Sequence, residues 1–160
     1  MRSKKVCFTG HRELPADDLP EISKRLEDTL ATLIEQGYRY FGAGGAWGFD
    51  TLAAQAVLRL RERYPQIRLI LVLPCLNQTR GWAQADIDAY EEIKHCADKV
   101  TYTSEHYFQG CMQKRNRHLV VNSSVCICSL TKPTGGTSYT VNYARRSGLR
   151  IINIAGPDSL

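Results

Sequence analysis

RLILVL at residues 68–73, followed directly by Pro74, is an almost uninterrupted apolar run of strand length. A strand with one face in water would alternate apolar and polar residues, but no polar residue interrupts positions 69–73. Such a strand is typical of a parallel sheet that is covered on both faces. Proline has no backbone N–H to donate to a sheet, so the strand is expected to end before Pro74.

Segments with helical periodicity alternate with strand-like runs on both sides of this stretch. In the first of them, Ile22, Leu26, Leu30, Leu33 and Ile34 form one apolar face. The predicted strands are Lys5–Thr9, Tyr38–Gly42, Arg68–Leu73, Lys99–Thr103, Val125–Leu130 and Arg150–Ile154. The predicted helices are Leu19–Gln36, Asp50–Arg63, Gln84–Lys94, Met112–Asn122 and Thr137–Ser147, with Gly148 at the C-cap of the last.

This alternation predicts an α/β fold of Rossmann-like, three-layer α/β/α architecture with a mainly parallel sheet. With the strands numbered along the chain, we expect the order 3-2-1-4-5-6, which places ligand-binding loops at a switch point of the sheet. The 160 residues fit one domain, 1–160, and no linker, repeat or low-complexity segment divides them.

Composition favours a metal-free protein of the cytoplasm. The chain is 43% hydrophobic and 23% charged, which is ordinary for a globular domain. No apolar run is long enough to span a bilayer, and no segment resembles a signal peptide. The six cysteines form no C-x-x-C pair, and the four histidines lack metal-ligand spacing, so we expect reduced cysteines and no metal site. The net charge of +5 would attract a phosphorylated ligand, but its scattered cations make nucleic acid an unfavoured partner.

Two loops at predicted strand ends are candidates for ligand contact. In the first, Thr9 and Gly10 offer a hydroxyl and an open backbone, and Arg12 beside His11 can make a forked contact to phosphate. The second, GAGGAWGFD at residues 42–50, holds four glycines whose backbone can approach a ligand closely. From this loop we select four candidate ligand-binding residues: Gly44, Gly45, Trp47 and Asp50, the last of which is also expected to cap the following helix.

The strongest candidate phosphate site precedes the last helix. Gly135 and Gly136 lead into a first turn with free N–H groups and the hydroxyls of Thr137 and Ser138, an arrangement suited to anions. A fourth segment, QKRNR at residues 113–117, opens another helix, and Arg115 and Asn116 are its candidate site residues.

The absence of two nucleotide-binding motifs disfavours two classes of enzyme. There is no G-x-G-x-x-G after the first strand and no acidic residue at the end of the second, so ordinary NAD-dependent hydride transfer is disfavoured. No G-x-x-x-x-G-K-[ST] is present, which disfavours a P-loop ATPase.

Taken together, these segments resemble the YpsA-type branch of the SLOG superfamily, which also contains the DprA (Smf) proteins and the LOG phosphoribohydrolases. The matching stretches are FTGHR at 8–12, GGAWGFD at 44–50, LP at 73–74, QKRNR at 113–117, GGT at 135–137 and YTVNYA at 139–144. The resemblance implies a Rossmann-like fold with a pocket for nucleotides or nucleotide-derived ligands. In LOG enzymes, a catalytic glutamate lies four residues after the last glycine of this loop. The corresponding position here, four residues after Gly136, is Thr140.

Three hypotheses follow for the function. The first is a nucleotide-binding module, such as a sensor or regulator, with phosphate at Gly135, Gly136 and Thr137 and a base against Trp47 or Phe49. The second is hydrolysis of an N-glycosidic bond, for which Arg115 and Asp50 are the catalytic candidates. The third is binding of single-stranded DNA, by analogy with DprA. No cofactor beyond a nucleotide-type ligand is expected, and the sequence leaves open whether two copies pair through apolar helix faces.

Overall fold

The described residues, 4–155 of a computed structural model, form a six-stranded sheet with helices on both faces. The strands are β1 (Lys5–Gly10), β2 (Tyr40–Ala43), β3 (Arg68–Leu73), β4 (Lys99–Tyr102), β5 (Val125–Ser129) and β6 (Arg150–Asn153). The helices are α1 (Leu19–Glu35), α2 (Phe49–Arg63), α3 (Gln84–Cys96), α4 (Cys111–Val121) and α5 (Gly136–Arg146), and one 3-10 turn, Ala16–Asp18, precedes α1. The predicted domain, 1–160, extends beyond the described residues at both ends.

Every strand pair is parallel, and the predicted Rossmann-like α/β class is confirmed. The observed order is β4-β3-β2-β1-β5-β6, so the run 3-2-1 and the pair 5-6 agree with the prediction. The place of β4 differs from the 3-2-1-4-5-6 expected, because β4 pairs with β3 at the outer edge and not with β1. The connection from β3 to β4 through α3 adds the next strand at the outer edge of the sheet. The connection from β4 to β5 through α4 then returns across the sheet to the other side of β1.

Alternate residues of each strand face two separate apolar clusters. Leu69, Leu71 and Leu73 of β3 belong to the larger cluster, which includes the buried residues of α1, α2 and α3. Val72 belongs to a smaller cluster with residues of α4 and α5 such as Leu119. The sheet therefore carries three helices on one face and two on the other, which is the three-layer arrangement that the apolar strands predict.

The order of the strands places the switch point between β1 and β5. Strands on the two sides of this point are followed by connections that run in opposite directions, so a crevice opens at the carboxyl ends of β1 and β5. The loops after β1 and β5 meet there, and α4 crosses the sheet so that its first turns lie beside them.

Candidate functional site

A cavity of about 370 Å³ lies at this switch point, at the carboxyl edge of the sheet. The loops after β1 and β5 and the starts of α2, α4 and α5 all contribute to its wall. Ten of the residues predicted from the sequence line it: Thr9, Gly10, His11, Arg12, Asp50, Arg115, Asn116, Gly135, Gly136 and Thr137. The topology therefore brings together four segments that are far apart along the chain.

The first turn of α5 presents backbone N–H groups at one side of the cavity. Gly135 is the N-cap residue, with φ 105° and ψ −176°, and no side chain caps the helix. Ser138 does not line the cavity, because its buried hydroxyl donates to the carbonyl of Pro133 at 2.9 Å. The uncapped N–H groups and the positive end of the helix dipole make this turn suitable for an anion.

Arg115 is a buried cation in the cavity wall, with only 4% of its surface exposed. Its guanidinium donates from Nε to Asn116 Oδ1 at 2.7 Å, from Nη1 to the carbonyl of Gly44, and from Nη2 to the sulfur of Met112 at 3.8 Å. No carboxylate among the described residues lies within ion-pair distance of it. Because a guanidinium carries five N–H donors, some remain available to a ligand.

Asn116 and Thr140 connect α4 to the first turn of α5. The Asn116 amide donates to Thr140 Oγ1 at 3.1 Å, and this hydroxyl donates in turn to the carbonyl of Gly136 at 3.0 Å. Thr140, which stands where LOG enzymes carry a glutamate, is therefore a buried structural link. It supplies no carboxylate to the cavity.

Asp50 lies within the first turn of α2 and lines the same cavity. The expected capping role is wrong: Gly48 is the N-cap residue, and Asp50 Oδ2 accepts a hydrogen bond from the amide of Ala46 at 3.2 Å. Burial raises the pKa of Asp50, and the charge of Arg115, the amide of Ala46 and the charge of Arg12 oppose this rise. Burial likewise lowers the pKa of Arg115, and the charge of Asp50 opposes that change.

The raised pKa of Asp50 has a consequence for stability. The folded chain keeps the proton on the Asp50 carboxyl group to a higher pH than the unfolded chain does. Ionisation of Asp50 therefore lowers the free energy of unfolding, and this cost grows from about pH 3.8, the ordinary pKa, up to the raised pKa of the folded chain. We expect Asp50→Asn to raise the melting temperature at neutral pH, because it removes a buried carboxyl group whose ionised form is disfavoured by burial. Thermal unfolding followed by circular dichroism should show this gain shrinking as the pH falls towards 4.

The exposed carboxylate Asp88 provides the control for this comparison. Asp88→Asn should change the melting temperature at neutral pH by less than about 2 °C, since exposed substitutions usually alter stability by under about 0.5 kcal/mol. A variant that loses stability relative to the parent chain as the pH rises would contradict the account, because it would mean that ionised Asp50 stabilises the fold.

His11 joins the loops after β1 and β5. Its Nε2 accepts a hydrogen bond from the amide of Thr131 at 3.1 Å, and its carbonyl accepts one from the amide of Phe49 at 3.1 Å. Burial, with a smaller contribution from the charge of Lys132, lowers the pKa of His11, which favours the neutral ring that this arrangement requires. The side chain therefore positions both loops, while its ring still lines the cavity.

The glycine loop after β2 serves packing more than ligand contact. Gly44 and Gly45 do not line the cavity. A Cβ on Gly44 would lie 2.7 Å from Arg115 Nη1, so the absence of a side chain leaves room for the buried guanidinium. Gly45, with φ 77°, packs against Leu73 in the same way. The sequence predicted that a ligand would approach the backbone of these glycines closely. The groups that approach it are side chains of the protein, Arg115 and Leu73.

Trp47 and Phe49 are also placed away from the cavity wall. Phe49 is fully buried and packs edge-on against Phe8, so it belongs to the core and is not placed to stack on a base. The Trp47 ring lies under the guanidinium of Arg12, 4.6 Å from its centre, and edge-on to Trp82 at 5.0 Å. Trp47 therefore holds Arg12 at the rim of the cavity.

Several lining residues were not selected from the sequence. Lys132 and Thr134 extend the loop before α5, while Phe8, Glu13, Ala46 and Met112 complete the wall. The loops that contain them were recognised, but residue type alone does not distinguish a lining side chain from an exposed one.

Within residues 4–155, no three or more His, Cys, Asp or Glu side chains are grouped so that they could hold a metal ion. All six cysteines are free, and Cys7, Cys126 and Cys128 are buried in the strands. No helix in the described part of the chain is long and apolar enough to cross a membrane.

Solved structures with this fold include two DNA processing proteins. DprA from Streptococcus pneumoniae matches 92% of this chain with a TM-score of 0.66 and 18% identity, over 48% of its own length. DprA from Helicobacter pylori, which is described with a single-stranded DNA binding mode, matches 92% with a TM-score of 0.65 and 18% identity, over 63% of its own length. At this identity the likeness establishes the fold.

Curated relatives are found among UPF0398 proteins. UPF0398 protein BH1768 from Halalkalibacterium halodurans is 31% identical over 129 residues, which are 78% of this chain and 68% of the relative. UPF0398 protein SSP1297 from Staphylococcus saprophyticus is 30% identical over 114 residues, which are 67% of this chain and 61% of the relative. The matched stretch thus spans about two thirds of these relatives. The model of the YspA SLOG family matches residues 6–151, nearly the whole described chain, and the chain therefore belongs to the YspA SLOG family.

Proposed function

We propose that this chain binds a nucleotide-derived phosphate in the cavity at the switch point. The observation that carries the proposal is Arg115: a guanidinium with 4% exposure, no carboxylate within ion-pair distance among the described residues, and a place in the wall of the cavity that the uncapped start of α5 also lines. A buried cation that has no direct ion pair, and only the more distant charge of Asp50 to offset its burial, is costly, and a bound anion would add a direct partner.

Several contacts would have to act together to hold the phosphate. The dipole at the start of α5 contributes only about 0.3–1 kcal/mol. Hydrogen bonds to a charged group contribute about 1.5–3 kcal/mol each, so the N–H groups of Gly136 and Thr137 with one or two from Arg115 supply most of the affinity. Arg12 and Lys132, which also line the cavity, add positive charge at its mouth.

The size and lining of the site favour a nucleotide over inorganic phosphate. The cavity of about 370 Å³ lies within the range of small-molecule sites, roughly 300–1,000 Å³. Thr9 and Asn116 provide polar groups for the sugar. A neighbouring cavity of about 450 Å³ shares His11 and Glu13 with it and extends towards α1, which leaves room for a base.

Calorimetric titration with 5′-AMP and with adenosine tests the proposal, because the two ligands differ only in the phosphate. We expect adenosine to bind at least about 100-fold more weakly, since it lacks two or more charge-assisted hydrogen bonds. Equal affinities would contradict phosphate recognition, and absence of binding by every nucleoside monophosphate tested would contradict the proposal as a whole.

Single-stranded DNA is the alternative ligand to include in the same titrations. The Helicobacter pylori protein of the same fold is described with a single-stranded DNA binding mode, so the expectation that nucleic acid is an unfavoured partner is not supported. A deoxyoligonucleotide that competes with 5′-AMP would place both ligands in the same cavity. Affinity for the oligonucleotide should then fall steeply with salt concentration.

Hydrolysis of an N-glycosidic bond is the second candidate function, and Asp50 is the observation that favours it. Its carboxyl group lines the cavity, and its raised pKa suits proton transfer nearer neutral pH than an ordinary aspartate allows. Chromatography of a 5′-AMP incubation for free adenine tests this function. Release of adenine that is lost in Asp50→Asn would support it, and no release by the parent chain would leave binding as the function.

A further inference from the structure

A second concave site, which we call the α4 groove, lies at the opposite end of α4 from the switch-point cavity. It has a volume of about 280 Å³ and is bounded by the sheet on one side and by the last turns of α4 on the other. Its floor is apolar, with Ile70, Val72 and Leu119, while its rim carries Lys5, Lys99 and His118. None of these residues lines the switch-point cavity.

The groove follows from the observed strand order. On this face α5 packs against β1, β5 and β6, and α4 packs against β1 and β3, so the groove opens between α4 and the edge strand β4. Gly42 deepens the groove's inner end, since a Cβ there would lie 2.9 Å from Leu119 Cδ2. Tyr40 stands at the other end with 39% of its surface exposed.

The charges around the groove have one sign. No acidic residue lines it, and neither Lys5 nor Lys99 has an ion-pair partner among residues 4–155. The ammonium of Lys5 lies 5.9 Å from the centre of the Tyr40 ring, which holds it at the rim. An apolar floor with two unpaired ammonium groups above it is complementary to a molecule with an apolar body and one anionic group.

We propose that the α4 groove is a second ligand site, and that it binds a small organic anion: a carboxylate on an aromatic or branched aliphatic body. The apolar body lies on Ile70, Val72 and Leu119, the carboxylate lies beside Lys99, and Lys5 adds positive charge at the opposite rim. The volume, just below the usual range of about 300–1,000 Å³ for small-molecule sites, suits a ligand smaller than a nucleotide. This inference does not depend on the function proposed for the switch-point cavity.

Titration with indole-3-acetate and indole-3-acetamide, followed by the methyl NMR signals of the protein, tests the inference. The two probes share the apolar ring and differ in charge. We expect the acetate to shift the methyl signals of Ile70, Val72 and Leu119, and the acetamide to bind at least about tenfold more weakly, a difference of about 1.4 kcal/mol. The backbone signals of Gly135 and Gly136 should not move, which separates this site from the switch-point cavity.

Lys99→Glu is the informative variant, because it reverses one charge at the exposed end of an edge strand. It should weaken indole-3-acetate binding at least about tenfold and leave the acetamide unaffected. Lys24→Glu, an exposed lysine on α1 far from the groove, is the matched control and should change neither. Equal binding of the two probes, insensitivity to Lys99→Glu, or no methyl shift with the acetate at about 10 mM would overturn the proposal.

Discussion

Gly136→Asp is expected to weaken the binding of 5′-AMP by at least about 100-fold while the fold stays intact. The new carboxylate would stand at the first residue of α5, where the phosphate is proposed to bind. Two like charges about 4 Å apart repel by about 4 kcal/mol at the effective dielectric of a protein surface, which is sufficient for this loss. Calorimetric titration of the variant measures the effect.

The geometry at Gly136 allows this substitution without disturbing the packing or the backbone. A Cβ there would meet no atom within 4 Å, and its φ lies outside the left-handed region. An acidic residue in the first turn of a helix is favourable by about 0.3–1 kcal/mol, so the melting temperature should not fall. Gly136→Ala is the matched control and should retain affinity within about threefold, which is under 1 kcal/mol. If Gly136→Asp binds 5′-AMP as the parent chain does, the phosphate does not lie at α5.

Gly48→Ala is expected to destabilise the chain by about 3–5 kcal/mol, the largest effect on stability that we predict. Gly48 has φ 81° and ψ −127°, a conformation that a residue with a Cβ rarely adopts. A Cβ there would also overlap the backbone of Arg12, with the Arg12 Cα at 2.6 Å. Thermal unfolding should show a fall of roughly 6–20 °C for a chain of this size.

Gly81→Ala separates the two causes of this loss. Gly81 also has a positive φ, 84°, but a Cβ there meets nothing within 4 Å. Its replacement should therefore cost only about 1–2 kcal/mol, the backbone contribution alone. Equal losses in the two variants would mean that the contact between Gly48 and Arg12, which holds the loop after β1 against α2, is not tightly packed.

Local patterns in the sequence predict most of the elements correctly. The five residues assigned to the apolar face of the first helix are all buried in α1, and the run 68–73 is β3 with the same bounds. Gly148, placed at the C-cap of the last helix, follows the C-cap residue Ser147 with φ 87°, where a left-handed residue closes the helix. These features depend on near neighbours along the chain, which a sequence displays directly.

The features that the sequence did not reveal depend on distant contacts. The edge position of β4 is decided by which strand it pairs with, and its own residues suit either place. Gly44 and Gly45 look like ligand-facing glycines until the packing of Arg115 and Leu73 against them is known. Asp50 lies at the end of a glycine loop, as a cap would, but its partner is the amide of Ala46.

Amide chemical-shift changes on titration with 5′-AMP test the central claim most directly, because they locate the ligand as well as detect it. We predict that the amide signals of Gly135, Gly136 and Thr137 and the side-chain Nε–H of Arg115 shift together and saturate with one binding constant. Shifts confined to other parts of the chain, or no shifts at any ligand concentration, would contradict the assignment of the switch-point cavity as a phosphate site.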